Sequence, residues 1–103
     1  MSRPTLSVSP AAGRDLTTVL GIIAENAGVR VATRWRKKFG SRMRTLVRQP
    51  YLGMADEDLG RGRRRLVLAP YLIVYEIGPG NEIAILRIVH GARDLPTLFD
   101  DIP

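Results

Sequence analysis

Tyr71-Leu72-Ile73-Val74-Tyr75-Glu76-Ile77 decides the fold, together with Gly78-Pro79-Gly80-Asn81 and the run Glu82 to His90 that follows. The first run is aromatic and β-branched, which suits a pleated, half-buried strand; Gly-Pro-Gly-Asn is turn chemistry; and Glu82 to His90 returns to apolar residues. The pattern predicts a β-hairpin. A four-residue loop pairs Ile77 with Glu82, Val74 with Ile85 and Leu72 with Arg87. Because strand side chains alternate, one face then carries Leu72, Val74, Glu76, Ile83, Ile85 and Arg87, and the other carries Tyr71, Ile73, Tyr75, Ile77, Ala84, Leu86, Ile88 and His90. Upstream, Arg63 to Ala69 predicts another strand, which completes an antiparallel meander. Downstream, residues 91–103 read as a C-terminal tail, where Leu95, Leu98 and Phe99 suggest a short packed segment or one helical turn.

The N-terminal half has a different period. Thr5 to Val8 predicts a short strand with Leu6 and Val8 on one face. Ser9 is a good helix cap, and Pro10 fits the first helical position, where its missing N–H costs nothing. Leu16, Val19, Leu20, Ile23 and Ala27 then recur at helical spacing, and Gly28 is suited to ending the helix. A second helix is expected from Val29 to Arg48, with Ala32, Trp35, Phe39, Met43 and Leu46 as its apolar stripe. Arg30, Arg34, Lys37, Ser41, Arg44 and Arg48 fall on the opposite face. Gly40 lowers helix propensity by about 1 kcal/mol relative to alanine, which suggests close helix packing there. Tyr51 to Gly62 reads as a loop, acidic at Asp56-Glu57-Asp58.

The order is therefore β-α-α-β-β-β. A helical hairpin with one apolar side and a sheet with one apolar face bury each other. The expected fold is α+β: one domain over residues 1–103, an antiparallel sheet packed against the hairpin. The first strand is expected at an edge or beside the last strand.

Composition narrows the function. The chain has 103 residues, no cysteine and one histidine, His90, so disulfides, thiolate metal sites and two-histidine metal sites are excluded. No segment approaches the roughly 20 apolar residues of a membrane-spanning helix, and no apolar run follows Met1-Ser2-Arg3-Pro4, so a cytoplasmic protein is expected. The formal charge is +6, and fourteen of the sixteen basic residues are arginine. From Gly28 to Arg65 there are twelve basic and three acidic residues; elsewhere acids outnumber bases seven to four. This asymmetry fits an acidic partner or a nucleic acid, and it equally fits a solvated arginine-rich surface.

Catalytic motifs are sparse. His90 with Asp94 has no nucleophile beside it, so a hydrolase triad is not supported. Leu59-Gly60-Arg61-Gly62-Arg63 lacks the Gly-Lys-Ser/Thr ending of a phosphate loop and leads into a strand. Three consecutive carboxylates at Asp56 to Asp58 cannot all converge on one ion, and no cofactor is expected. Metal-free RNA cleavage needs a base, cations for the phosphorane and an acid. His90 and Arg93, with Arg87 or Arg65, are the candidates. Against that, a strand-terminal histidine packed at the domain edge and an Arg87 that is a surface cation or a partner to Glu76 account for the same residues.

Several segments, in order, resemble the RelE/ParE superfamily of bacterial toxin–antitoxin modules, and the ParE-type toxins in particular. They are Leu6 to Ala12 with Asp15-Leu16, Leu46 to Gly53, Arg63 to Leu68 with Tyr71 to Tyr75, and above all Ile85-Leu86-Arg87-Ile88-Val89-His90-Gly91-Ala92-Arg93-Asp94-Leu95. The resemblance spans nearly the whole chain and implies the same fold, a helical hairpin on an antiparallel sheet.

It also implies one of two activities. RelE-type members cleave mRNA on the ribosome; ParE-type members inhibit DNA gyrase. Ribonuclease members tend to carry an arginine after the tyrosine that opens the third strand, where this chain has Leu72. They tend to carry basic residues along the second strand, where it has Leu66, Val67 and Leu68. Several use a tyrosine in the tail, where it has Phe99. These departures favour gyrase inhibition without catalysis; the alternatives are RelE-type cleavage of mRNA and a basic nucleic-acid-binding module. The resemblance further implies a ParD-like antitoxin whose acidic C-terminal segment folds on the toxin. Arg34, Lys37, Lys38, Arg44, Arg63, Arg64, Arg65, Arg87, His90 and Arg93 are the candidate contacts.

Overall fold

The computed structural model describes residues 5–91. Strand β1 (Leu6–Val8) leads into helix α1 (Pro10–Ala27), Gly28 alone separates it from helix α2 (Val29–Arg48), and strands β2 (Met54–Ala55), β3 (Arg63–Leu68), β4 (Tyr71–Ile77) and β5 (Ile83–His90) follow. The sheet has five strands in the order β1-β5-β4-β3-β2, with β1 parallel to β5 and every other pair antiparallel. The first strand thus lies both at an edge and beside the last strand. The two-residue strand β2 is an addition to the expected order: Met54 and Ala55 pair with Arg65 and Arg64 inside what reads as a loop.

Ser9 joins the two halves. Its Oγ accepts the Ala12 N–H at 3.0 Å, which caps α1, and donates to the Leu86 carbonyl at 2.8 Å. Its own N–H donates to the Ile85 carbonyl at 2.9 Å. One residue therefore starts the helix and fastens it to β5. At the other end Gly28 has φ +95°, a left-handed conformation that glycine adopts without steric cost, and the chain reverses there into α2.

The hairpin pairing differs from expectation. Ile77 pairs with Ile83, Tyr75 with Ile85 and Val74 with Arg87, because the loop is a five-residue segment containing a 3-10 turn and Leu86 is an extra, bulged residue. A bulge flips the parity of the strand beyond it. The five-residue loop puts Ile83 opposite Ile77, so Ile83 and Ile85 join Ile73 and Tyr75 on the helix side, and the bulge returns Ile88 to that side. The alternation that assigned Ile83 and Ile85 to the opposite face is corrected by the longer loop, and the bulge keeps Ile88 and His90 on their expected face.

The core is the helix face of the sheet against α2. Phe39, Met43 and Leu46 are buried with Leu66, Ile73, Tyr75, Ile85 and Ile88. Trp35 packs against this cluster but stays partly exposed, its ring 5.9 Å from Phe39 and 5.3 Å from Tyr71. Gly40 does not mediate helix packing: a side chain there would meet the Arg44 guanidinium of its own helix. Arg93 and the tail residues Leu95, Leu98 and Phe99 lie outside the described residues.

Candidate partner-binding surface

The expected cations fall into three groups. Arg34, Lys37, Lys38 and Arg44 are exposed on α2. With Val31, Trp35 and Ser41, the first three line an open surface cavity of about 630 Å³. The Lys38 ammonium lies 4.6 Å over the Trp35 ring, a cation–π contact. Neither ion pair among the described residues involves α2.

Arg63, Arg64 and Arg65 are employed within the fold instead. Arg63 Nη1 donates to the Leu59 carbonyl at 3.0 Å. Arg64 Nη2 donates to the Gly53 carbonyl, and its guanidinium lies 5.0 Å from the Tyr51 ring centre. Arg65 pairs with Asp56 at 3.4 Å. These arginines fasten segment 51–60 to the sheet edge, aided by Tyr75. The Tyr75 hydroxyl donates to the Pro50 carbonyl at 2.6 Å and accepts the Gly53 N–H at 2.9 Å. A side chain at Gly53 would collide with the Arg65 carbonyl and the Tyr75 ring, so only glycine fits there.

Arg87 and His90 meet at the third place. Arg87 Nε donates to Asp15 Oδ2 at 2.7 Å and Nη2 to Oδ1 at 3.0 Å, a two-pronged contact. Asp15 on α1, not the expected Glu76, is its partner: Glu76 stands opposite Ala84, three positions from Arg87 along β5. The His90 ring stands edge-on to Tyr71 at 5.8 Å. With Thr18, Val19, Ile22 and Val89 these residues surround a cavity of about 340 Å³ beneath α1. Its cation is already matched by a carboxylate. Among the described residues, no group of three or more His, Asp or Glu side chains is placed to hold a metal ion.

A fourth feature lies between the helices. Leu16, Leu20, Ala24, Val29 and Ala32 line a shallow apolar groove of about 470 Å³ between α1 and α2, with Arg36 at its rim. Val29 is 74% exposed there. The helical period reveals each apolar face but not how much of it the sheet leaves uncovered.

A helical hairpin on a mixed sheet, with a cationic helix outward and an apolar groove beside it, has the architecture of a toxin from a toxin–antitoxin pair. A solved structure, "Chromosomal ParDE TA system from P. aeruginosa", has this fold: TM-score 0.73 at 22% identity, covering 85% of this chain and 96% of that one. The profile described as "ParE toxin of type II toxin-antitoxin system, parDE" matches residues 6–95. Toxin ParE3 of Caulobacter vibrioides is 34% identical over 86 residues, covering 84% of each chain. The chain belongs to the ParE toxin family of type II toxin–antitoxin systems.

Proposed function

We propose that this toxin inhibits DNA gyrase in the cytoplasm and is neutralised by a ParD-like antitoxin. The observation that carries the antitoxin half is the apolar groove between α1 and α2 beside a strongly basic helix. An amphipathic segment docks by apolar anchors at helical spacing, and acidic residues on it are drawn in by the cations.

The reading of the target is supported by what a ribonuclease site would need. Arg87 is neutralised by Asp15, Leu72 is a buried apolar residue, and Leu66 and Leu68 belong to the core cluster. Among the described residues, these positions therefore offer a phosphorane little uncompensated charge, which supports inhibition by binding. The test is supercoiling by purified gyrase with and without the purified toxin. Inhibition that an equimolar ParD-like protein relieves is the expected result. Undiminished supercoiling together with cleavage of ribosome-bound mRNA would replace it with the ribonuclease reading.

A further inference from the structure

Helix α2 carries eight cations and no acidic residue across Val29–Arg48. Five of them, Arg30, Arg34, Lys37, Arg44 and Arg48, share one face with Ser41. At 3.6 residues per turn the six positions fall within about 80° of arc and run along about 27 Å of helix. All six are exposed. Both ion pairs among the described residues lie on other elements. Arg30 with Arg34, and Arg44 with Arg48, are like charges four residues apart, which repel on a helix. Apart from Arg48, a cation suited to the last helical turn, such a row does not help folding, whereas a linear polyanion would be attracted along its whole length.

The occupant can be chosen by chemistry. An acidic polypeptide needs apolar anchors at helical spacing along its length; the ridge's single uncharged member is Ser41, Val31 and Trp35 adjoin it only in the open cavity at its middle, and the apolar groove lies between the helices. A single-stranded nucleic acid needs open aromatic faces for stacking. Trp35 borders the ridge, but Lys38 covers its ring and Tyr71 packs against it nearly at right angles. What the ridge does offer is arginine forks and ammonium groups in a straight line, which match phosphate oxygens. We propose that the α2 ridge binds the phosphate backbone of double-stranded DNA without regard to sequence. The inference does not depend on gyrase being the target.

The test is fluorescence anisotropy of a labelled duplex of about 30 base pairs with the full-length toxin, from about 50 to 200 mM salt. Five phosphate contacts predict a slope of log affinity against log salt of about −4 to −5. Emission from Trp35, the one tryptophan, should change on binding. Arg34→Glu/Arg44→Glu should weaken binding at least ~10-fold and flatten the slope by about 2. Arg34→Gln/Arg44→Gln, a milder change, should flatten it equally. Arg14→Glu/Arg61→Glu alters net charge as much as the first variant but lies off the ridge, and should weaken binding less than ~3-fold. Absence of binding at low salt overturns the proposal, as does equal loss in the two glutamate variants. Tighter binding to a single strand, or to poly-glutamate at equal charge concentration, would replace duplex DNA as the occupant.

Discussion

Arg87 and Asp15, 72 positions apart in the chain, form the one two-pronged ion pair among the described residues, and the Ile88 N–H donates to the same carboxylate at 2.9 Å. The geometry explains why the pair exists. β1 pairs with β5 only as far as Ile85, and the bulge follows at Leu86. Beyond it, the backbone of β5 needs a partner that is not a strand. Ser9 satisfies the Leu86 carbonyl and Asp15 satisfies the Ile88 N–H, so α1 takes over the hydrogen bonding that a longer β1 would have supplied.

Asp15→Asn should therefore destabilise the fold by about 2–3 kcal/mol, between the values for exposed and fully buried pairs, because both side chains are about one-sixth exposed. Urea unfolding checks this through a lower midpoint with an unchanged slope. Asp15→Ala and Arg87→Ala should each destabilise, and together by less than their sum, with a coupling of roughly 1–3 kcal/mol. Strictly additive effects would mean that the contact contributes nothing.

Tyr75→Phe isolates the hydroxyl that holds segment 50–53. Without it the Gly53 N–H and the Pro50 carbonyl both lose a partner beside a fully buried ring. An orphaned buried group costs about 1–3 kcal/mol, so thermal unfolding should begin several degrees lower. Limited proteolysis should also cut first between Tyr51 and Gly62, since that segment would then be held by Arg63 to Arg65 and the two-residue β2 pairing without the tyrosine clamp. Cleavage elsewhere at the same rate would count against the clamp.

Phe39 and Trp35 share a helix face but not an environment. Phe39 is 0% exposed at the centre of the core, and Phe39→Ala should cost about 3–5 kcal/mol. Trp35 is half-buried at the margin, so Trp35→Ala should cost roughly 2 kcal/mol, in proportion to the area it buries. Chemical denaturation of both variants gives the comparison. Equal losses would place the indole deeper in the core than its exposure indicates.

The helices were readable because their signals are local: Ser9-Pro10 starts α1, Gly28 ends it, and the stripe from Phe39 to Leu46 is buried as its period indicates. The β4–β5 hairpin was readable as an element but not in register, because its loop has five residues rather than four and Leu86 is bulged, its carbonyl accepting from Ser9, a partner 77 positions away. The Asp15–Arg87 pair was hidden for the same reason. Among the cations, charge alone did not separate Arg63 to Arg65, which bind loop carbonyls and Asp56, from Arg34, Lys37 and Arg44, which face solvent. Strand β2 is two residues long, too short for any alternation to register.

Antitoxin capture should be sensitive to salt. The cations around the groove attract an acidic segment over a distance of roughly 8 Å at physiological ionic strength. Stopped-flow association of a ParD-like protein should slow as salt rises, and Arg36→Glu at the groove rim should slow it further at low salt. Leu20→Asp, in the groove itself, should act mainly by speeding dissociation. An association rate that is flat across the salt range would leave apolar docking as the whole of the recognition.

The order of events in cells distinguishes gyrase inhibition from mRNA cleavage. Induction without antitoxin should trigger the DNA-damage response and filamentation first, with translation falling later and mRNA remaining uncut. The described groups that a nuclease would use are engaged elsewhere or uncharged. Arg87 is held by Asp15, Leu72 offers a phosphate no charge, and the ring of His90 packs against Tyr71. Loss of charge stabilisation in a phosphoryl-transfer site slows it on the order of 10²-fold or more per group, so a site lacking several would be too slow to arrest growth. His90→Ala should accordingly leave growth inhibition within about twofold of the unsubstituted toxin, since no transition state would depend on it. Primer extension on ribosome-bound transcripts within minutes of induction supplies the opposing measurement. If discrete cuts appear there, and His90→Ala removes both the cuts and the toxicity, the protein is a ribonuclease.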